Sequence, residues 1–392
     1  MFSLYIHVPF CVRRCLYCDF ITYAGQLEFL PAYANTAANE IQQLGLAAGS
    51  ERQSADTVYF GGGTPSLLES RLAGGLLEET ARAFGLAPSA EISLEANPGT
   101  LDPKKLRELR AAGINRLSLG VQSFSDSELA LLGRIHSREQ AEESIRWARE
   151  AGFEQLNLDL ISGLPRQTLE EWQENLKTAV TYKPEHLSVY SLIVEEGTPL
   201  EKQIASGRLP EPDEDLAADM YELTQEFLAQ AGYTQYEISN WALAEGCESR
   251  HNKAYWKTTP YLGIGAAAHS FAGGFRTENV PGIQDYITRI QQGEANLEFP
   301  FSPANLNRSK IQPYTQMQES MLLGLRLTRE GVALSAFQRR FGQDARELFS
   351  AEMMRLQEKR LVEFVQFPDG PHLRLTRRGV LVGNQAFMEF VD

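Results

Sequence analysis

Cys11, Cys15 and Cys18 fall within eight residues, in the run HVPFCVRRCLYCDF, and thiols gathered at Cys-x3-Cys-x2-Cys spacing are candidate metal ligands. A disulfide framework would instead need pairs spread along a secreted chain. Thiolates are soft ligands that select iron–sulfur clusters or zinc, and a closed structural site of either kind takes four protein ligands. Only three are offered here. A four-iron cluster on three thiolates keeps one iron open for a small molecule to chelate, and chemistry can start there. The alternative is a zinc site completed by Cys247 or by a histidine such as His7.

A second motif, YFGGGTPS over 59–66, reads as a strand ending in glycines with a helix starting after Pro65 and Ser66. Glycines permit close ligand approach and unusual backbone angles. The exposed carbonyls and amides of such a turn could hold an amino-acid ammonium or carboxylate, or the segment is simply a tight β-to-α turn.

Positioning these motifs requires a scaffold, and the hydropathy pattern predicts one. Strands are expected at 4–8, 57–60, 91–96, 116–121, 155–161 and 186–191. Amphipathic helices are expected at 27–44, 67–83, 103–112, 137–151, 169–180 and 214–231. Six strand–helix units predict an α/β fold, a partial (β/α)6 barrel with a parallel sheet. Strand residues two apart share a face. Ile92, Leu94 and Ala96 alternate with Glu91, Ser93 and Glu95, and Leu156, Leu158 and Leu160 alternate with Asn157 and Asp159. Barrel interiors are ordinarily filled with branched apolar side chains, so the polar faces predict a wet, ligand-holding interior. An exposed sheet face is the other reading.

After about residue 300 the pattern changes to helices at 318–327, 334–341 and 345–359. Two strands, 361–367 and 372–375, then flank Asp369-Gly370, a hairpin signal. The domains are therefore read as 1–235, the barrel; 236–300, a connecting segment; and 301–392, a small α+β winged-helix-like unit. Winged helices often read DNA, but Arg339, Arg340, Arg377 and Arg378 are few and the chain carries a net charge of −14, so nucleic acid is not an expected partner. With 43% hydrophobic and 22% charged residues in 392, the composition is that of an ordinary globular protein. No apolar run of membrane-spanning length and no signal-peptide pattern occurs, which predicts a cytoplasmic protein.

The cysteine motif, with Tyr17 before its third cysteine, resembles the signature of the radical S-adenosylmethionine (SAM) superfamily. That resemblance implies a 4Fe-4S cluster on Cys11, Cys15 and Cys18 and reductive cleavage of SAM to a deoxyadenosyl radical. SLEANPGT, RLSLGVQSF, LLGRIHS and LDLISGLP extend it over most of the chain to the oxygen-independent coproporphyrinogen III oxidase branch. Carried over residue by residue, the SAM contacts fall on Tyr5, Tyr17, Gly62, Gly63, Thr64, Glu95, Gln122, Arg134 and Asp159. Glu95, Gln122 and Asp159 could bond ribose hydroxyls and the ammonium, and Arg134 could pair with the carboxylate.

Within the branch, an oxidase that decarboxylates porphyrinogen propionates competes with a haem-binding chaperone group, HemW, which delivers haem to respiratory proteins. The oxidases resemble one another in a further cysteine two residues past the third, where this chain has Phe20. They also carry an N-terminal extension, whereas here the first strand is expected to begin at about residue 4. His251-Asn252-x2-Tyr255-Trp256, followed by YLGIGAAAHS, resembles the chaperone group. The expected function is thus haem chaperoning, with haem as cargo, haem-accepting respiratory proteins as recipients and membrane association only through such a partner. Coproporphyrinogen oxidase, or another radical SAM reaction, is the alternative, and no catalytic residue is singled out. His251 could ligate iron while Tyr255 and Trp256 offer flat apolar surfaces; equally, His251 and Asn252 could make structural hydrogen bonds. His7 and His269 are other possible ligands, but His7 lies on the first strand beside the cysteine motif and His269 follows a Gly/Ala-rich turn, so each reads more readily as a structural histidine.

Overall fold

Apolar residues recurring at every second position underlie six strands: β1 (Ser3–Val8), β2 (Ala55–Gly62), β3 (Leu86–Ala96), β4 (Arg116–Gln122), β5 (Gln155–Ser162) and β6 (His186–Ser191). In the computed structural model, which describes residues 2–391, each strand pairs in parallel with the next in chain order. Parallel neighbours need long crossovers. These are supplied by helices α1 (Leu30–Ala48), α2 (Ser70–Ala83), α3 (Pro103–Ala111), α4 (Asp126–Leu132), α5 (Arg138–Glu150) and α6 (Leu169–Thr181). The starts are written in the sequence. Ser137 with Gln140 and Thr168 with Glu171 form reciprocal capping boxes, and the Asp102 carboxylate accepts from Lys105 N ahead of Pro103.

One face of every strand is apolar and covered. Leu4, Ile6, Val58, Phe60, Leu94, Leu117, Leu119, Leu156 and Leu158 are fully buried, as are Ile41, Leu106, Ile145 and Leu176 of the helices. Each such aliphatic contributes about 1.5–3 kcal/mol on burial, an upper bound because the unfolded chain is partly collapsed. The opposite face keeps its polar residues, and Tyr59, Glu95, Ser118, Asn157, Asp159, His186 and Ser188 hydrogen-bond among themselves there.

The chain forms two compact units, Met1–Thr224 with Pro260–Ser309, and Gln225–Thr259 with Lys310–Asp392. The stretch 236–300, expected from the sequence to be a connection, is divided between them. Its later part adds β7 (Tyr261–Ile264), β8 (His269–Ala272) and β9 (Phe275–Asn279), and β10 (Asn305–Lys310) completes the edge, giving the order β10-β9-β8-β7-β1. β7 runs parallel to β1, with Tyr5 opposite Gly263 and Ile6 opposite Ile264. These strands escape the sequence pattern because they are short and glycine-interrupted. Glu40 of α1, fully buried, secures them: its carboxylate accepts from Gly265 N and Asn279 Nδ2, 2.8 and 2.9 Å, and from the Tyr286 and Ser302 hydroxyls.

In the second unit, helices Pro313–Gly324 and Leu334–Phe341 and the hairpin Val362–Phe367/Gly370–Leu375 enclose a core of Met321, Leu325, Phe337, Phe349, Leu356, Leu373 and Phe390. The helix expected over 345–359 is broken into Ala345–Leu348 and Ser350–Glu358. Phe349 leaves helical geometry (φ −113°, ψ 32°) as its ring packs against those of Phe337 and Phe390. The gain in core packing overrides helix continuity. Among the described residues no helix is long and apolar enough to cross a membrane.

Candidate functional site

Immediately after β1 the chain turns outward at the C-terminal end of the sheet, and this turn carries the three cysteines. It is held at several points. Phe10–Cys11 pairs in parallel with Tyr23–Ala24, Leu16 N donates to Leu132 O at 3.0 Å, and the Arg13 guanidinium donates to Gly133 O and Arg134 O at 2.7 and 2.8 Å. Cys11 is buried; Cys15 and Cys18 are half-buried. Burial pushes the Cys11 and Cys18 thiols up, and the neighbouring cysteines push each further up. Thiols gathered on one turn, two of them raised in this way, are a site that a bound cation would relieve.

The surroundings fit a cluster with an open iron. Cys247 belongs to the other unit, so this unit supplies three thiols and no fourth. Thr64 donates to Cys11 Sγ at 3.5 Å and Arg134 Nη1 to Cys15 Sγ at 3.3 Å. Arg134 Nη2 is engaged by Gly120 O at 2.7 Å, but its Nε is buried with no hydrogen-bond partner. An unmet guanidinium donor beside the thiols is what an anionic group of a bound molecule would satisfy. Among the described residues no three His, Cys, Asp or Glu side chains surround a point suited to one metal ion.

The glycine loop after β2 leaves room beside the thiols. A Cβ on Gly63 would lie 2.7 Å from Phe10 O and 3.0 Å from Phe10 N, so only glycine lets the two loops touch. Gly62 has φ +111°, in glycine's territory, and its amide donates to Glu95 Oε2 at 3.2 Å. The other Glu95 oxygen accepts from Tyr59 OH at 2.8 Å. Burial pushes the Glu95 carboxyl up to about 7; the Tyr59 and Gly62 donors oppose this, and the Asp159 charge adds to it. Asp159, raised above its ordinary value by burial, accepts from Ser118 Oγ at 3.0 Å and Asn157 Nδ2 at 2.7 Å. Two half-buried carboxyls, both raised, lie ready for hydroxyl or ammonium donors.

Gln122 ends β4 in the left-handed region, φ +66°, rare for a non-glycine residue. A Cβ on Gly120 would lie 3.0 Å from Gln122 Nε2 and 3.2 Å from Arg134 Nη2, which places both side chains over that glycine. Tyr17 packs against Leu132, Ile161 and Leu164. Burial lowers the Arg134 pKa, but Tyr17, Cys15 and Asp159 outweigh it and hold the guanidinium firmly charged. Tyr5 OH meets His7 Nδ1 at 2.9 Å, and His7, lowered to about 4 chiefly by burial, also meets Ile21 O at 3.3 Å.

Sequence reasoning did not assign Tyr59, Ser118, Asn157 or His186 to the site. The carboxamide oxygen of Asn157 faces His186 Nδ1 at 2.6 Å; since that oxygen only accepts, the ring donates, which turns the amide NH2 toward Asp159. Strand parity could have found Ser118 and Asn157, because Ser118 lies four residues from Gln122 and Asn157 two from Asp159.

The second unit holds the other motif on helix Arg250–Trp256, capped by Ser249 accepting from Asn252 N at 3.2 Å. His251 is 1% exposed, and its Nε2 meets Tyr255 OH at 2.9 Å. Burial lowers its pKa to about 3. The Arg326 guanidinium stacks 4.3 Å from the Trp256 ring centroid, and Trp256 Nε1 and Arg326 Nε are buried without partners. In this arrangement His251, Tyr255 and Trp256 are engaged within their own unit.

Residues 5–179 match the radical SAM superfamily, and 311–382 match the HemN C-terminal domain. The chain is 39% identical to the heme chaperone HemW of Bacillus subtilis, covering 100% of this chain and 99% of that protein. It is 33% identical to the heme chaperone HemW of Lactococcus lactis, over 99% and 97%. The structure of coproporphyrinogen III oxidase (HemN) from Escherichia coli superimposes with a TM-score of 0.82 at 24% identity, over 99% of this chain and 89% of that one. That likeness establishes a common fold.

Proposed function

The chain belongs to the HemW family of radical SAM proteins, and from that premise we propose that it is a haem chaperone, binding haem as cargo and passing it to haem proteins of the respiratory chain. The observation that carries this reading is the 39% identity maintained over the full length of a heme chaperone, cysteine turn and second unit included. The family implies a 4Fe-4S cluster and SAM. When bound, these supply one-electron reductive chemistry.

The residues present suit both groups. Cys11, Cys15 and Cys18 would hold the cluster, with Thr64 and Arg134 donating to two of the sulfurs. Arg134 Nε would take an anionic group of SAM, and Glu95, Asp159 and Gln122 would accept from or donate to its polar groups. Gly62 and Gly63 let the ligand and the cysteine turn come close, and Tyr5 and Tyr17 wall the site. The residue two positions past Cys18 separates chaperone from oxidase: Phe20, 63% exposed, stands where the oxidases resemble one another in having cysteine.

The test is an anaerobic haem titration of reconstituted protein beside a coproporphyrinogen III assay under reducing conditions. Stoichiometric haem binding without conversion is expected. Turnover to protoporphyrinogen IX would replace the chaperone reading with the oxidase one, a role that the fold shared with HemN can also house.

A further inference from the structure

Haem iron in proteins is ordinarily held by a side chain, and imidazole is a common such ligand. The chain has six histidines. Five are buried: His7, His136, His186, His251 and His372 are between 1% and 8% exposed. Each is also committed. His7 meets Tyr5 OH and Ile21 O; His136 meets Asn97 and Val121 O; His186 meets Asn157; His251 meets Tyr255; His372 meets Glu330 O and Asp369. Presenting any of these rings to the iron at the centre of a macrocycle means breaking hydrogen bonds and opening a packed region. His269 alone is exposed.

Its position in the fold is specific. β7 runs parallel to β1, so the turn Gly265–Ala268 after β7 lies at the same end of the sheet as the cysteine turn after β1. His269 is the first residue beyond that turn. The turn is fixed from below: Gly265 N donates to Glu40 and Ala266 N to Tyr33 OH, which itself donates to His7 O at 2.8 Å. It is fixed from the side as well, since a Cβ on Gly265 would be 2.7 Å from His7 O. Gly263 is packed so closely on His269 that a Cβ there would strike its carbonyl oxygen at 2.1 Å. The backbone of His269 is thus rigid while its ring is open to solvent, the combination a preorganised ligand requires. His7 links this turn to the cysteine turn through Ile21, and there Phe20 and Ile21 stand 63% and 42% exposed. Two adjacent large apolar side chains facing water, at the same end of the sheet as an exposed histidine, suit a flat apolar macrocycle.

We infer that His269 is the axial ligand to haem iron, and that Phe20 and Ile21 of the cysteine turn pack against the macrocycle. The assignment rests on the haem-chaperone reading, and it explains why an apolar side chain stands exposed at position 20. The same turn offers a cation for a propionate, as the exposed Arg14 brackets Phe20 by donating to Cys18 O and Phe20 O at 3.2 and 3.3 Å.

The experiment is a haem titration of the full-length, cluster-reconstituted protein, followed by absorption and electron paramagnetic resonance, for wild type, His269→Ala, His269→Met and Phe20→Ser. Iron and sulfide content monitors folding of the unit. Wild type should give an imidazole-ligated spectrum. His269→Ala should lose that signature and at least about tenfold in affinity, free imidazole should restore the signature, and His269→Met should shift it. Phe20→Ser should weaken binding several-fold with the imidazole signature intact. An unchanged spectrum and affinity in His269→Ala, or a thiolate spectrum in wild type, would overturn the ligand assignment and leave the chaperone reading standing; no haem binding by wild type would overturn both.

Discussion

Glu95 offers a quantitative handle on the proposed SAM site. Its carboxyl is pushed up to about 7, mainly by burial, so it is largely protonated at mildly acid pH and ionised above neutrality. A protonated carboxyl loses much of its capacity to accept from ligand hydroxyls or an ammonium. A raised carboxyl pKa removes the binding form as pH falls, so affinity should rise with pH up to the folded pKa and then level. With a pKa near 7, about one site in ten is ionised at pH ~6 and about nine in ten at pH ~8. If only the ionised form binds well, the dissociation constant should therefore be roughly tenfold weaker at the lower pH, about 1.4 kcal/mol. The window is free of interference from His7 and His136, near 4, and His251, near 3. Equilibrium SAM binding by calorimetry on the reconstituted protein, across pH ~5.5 to ~8.5, measures the slope. Glu95→Gln preserves shape, keeps an acceptor for Tyr59 and removes the titration, so its affinity should be lower at high pH and flat with pH. A flat wild-type profile, or an undiminished slope in Glu95→Gln, would refute the reasoning.

Alanine at Cys11, Cys15 or Cys18 should each abolish a cluster of about four irons and four sulfides, read by metal analysis and visible absorption; substantial iron in any of the three would place its ligands elsewhere. Gly63→Ala forces a Cβ to 2.7 Å from Phe10 O and should cost more than about 1–3 kcal/mol of local stability, seen as a cluster yield well below wild type. Asp159→Ala should weaken the effect of SAM on the reduced cluster's electron paramagnetic resonance spectrum without unfolding the chain, and a wild-type response at sub-saturating SAM would count against it. Tyr255→Phe deletes the hydroxyl that meets buried His251 and should destabilise the second unit by about 1–3 kcal/mol in denaturant unfolding; an unchanged midpoint would show that the ring is satisfied without it.

Fold and site were legible in the sequence to different depths because different forces wrote them. All six parallel strands appear in the alternation, since a strand covered on one face must repeat its apolar residues every second position, and the longer crossover helices appear in their own period, whereas the short helix Asp126–Leu132 was not expected. Capping residues such as Ser137 and Thr168 marked helix starts for an equally local reason. β7 to β9 could not be read this way. They are held by Glu40, which sits more than two hundred residues earlier, and by close backbone packing at Gly263 and Gly265, neither of which produces a period. Phe349 shows the converse: local propensity favours one helix across it, and ring packing with Phe337 and Phe390 wins.

For the site, residue type and spacing reach as far as the contacts are local or face-shared. Cys11, Cys15 and Cys18 lie on one turn, and Glu95 and Asp159 lie on inward strand faces, so the structure brings them where parity indicated. The histidines divide differently. His251, Asn252, Tyr255 and Trp256 stand out by composition, yet an i,i+4 histidine–tyrosine pair on one helix face can as readily bond to itself as to a ligand, and here Nε2 and the hydroxyl meet at 2.9 Å. His269, in a Gly/Ala-rich context, resembles a structural residue, yet that same context lets the turn pack tightly against His7 and Gly263 while its ring projects outward. Whether an imidazole is available to iron depends on what surrounds it in three dimensions, and small residues that make a backbone rigid can free the side chain beside them.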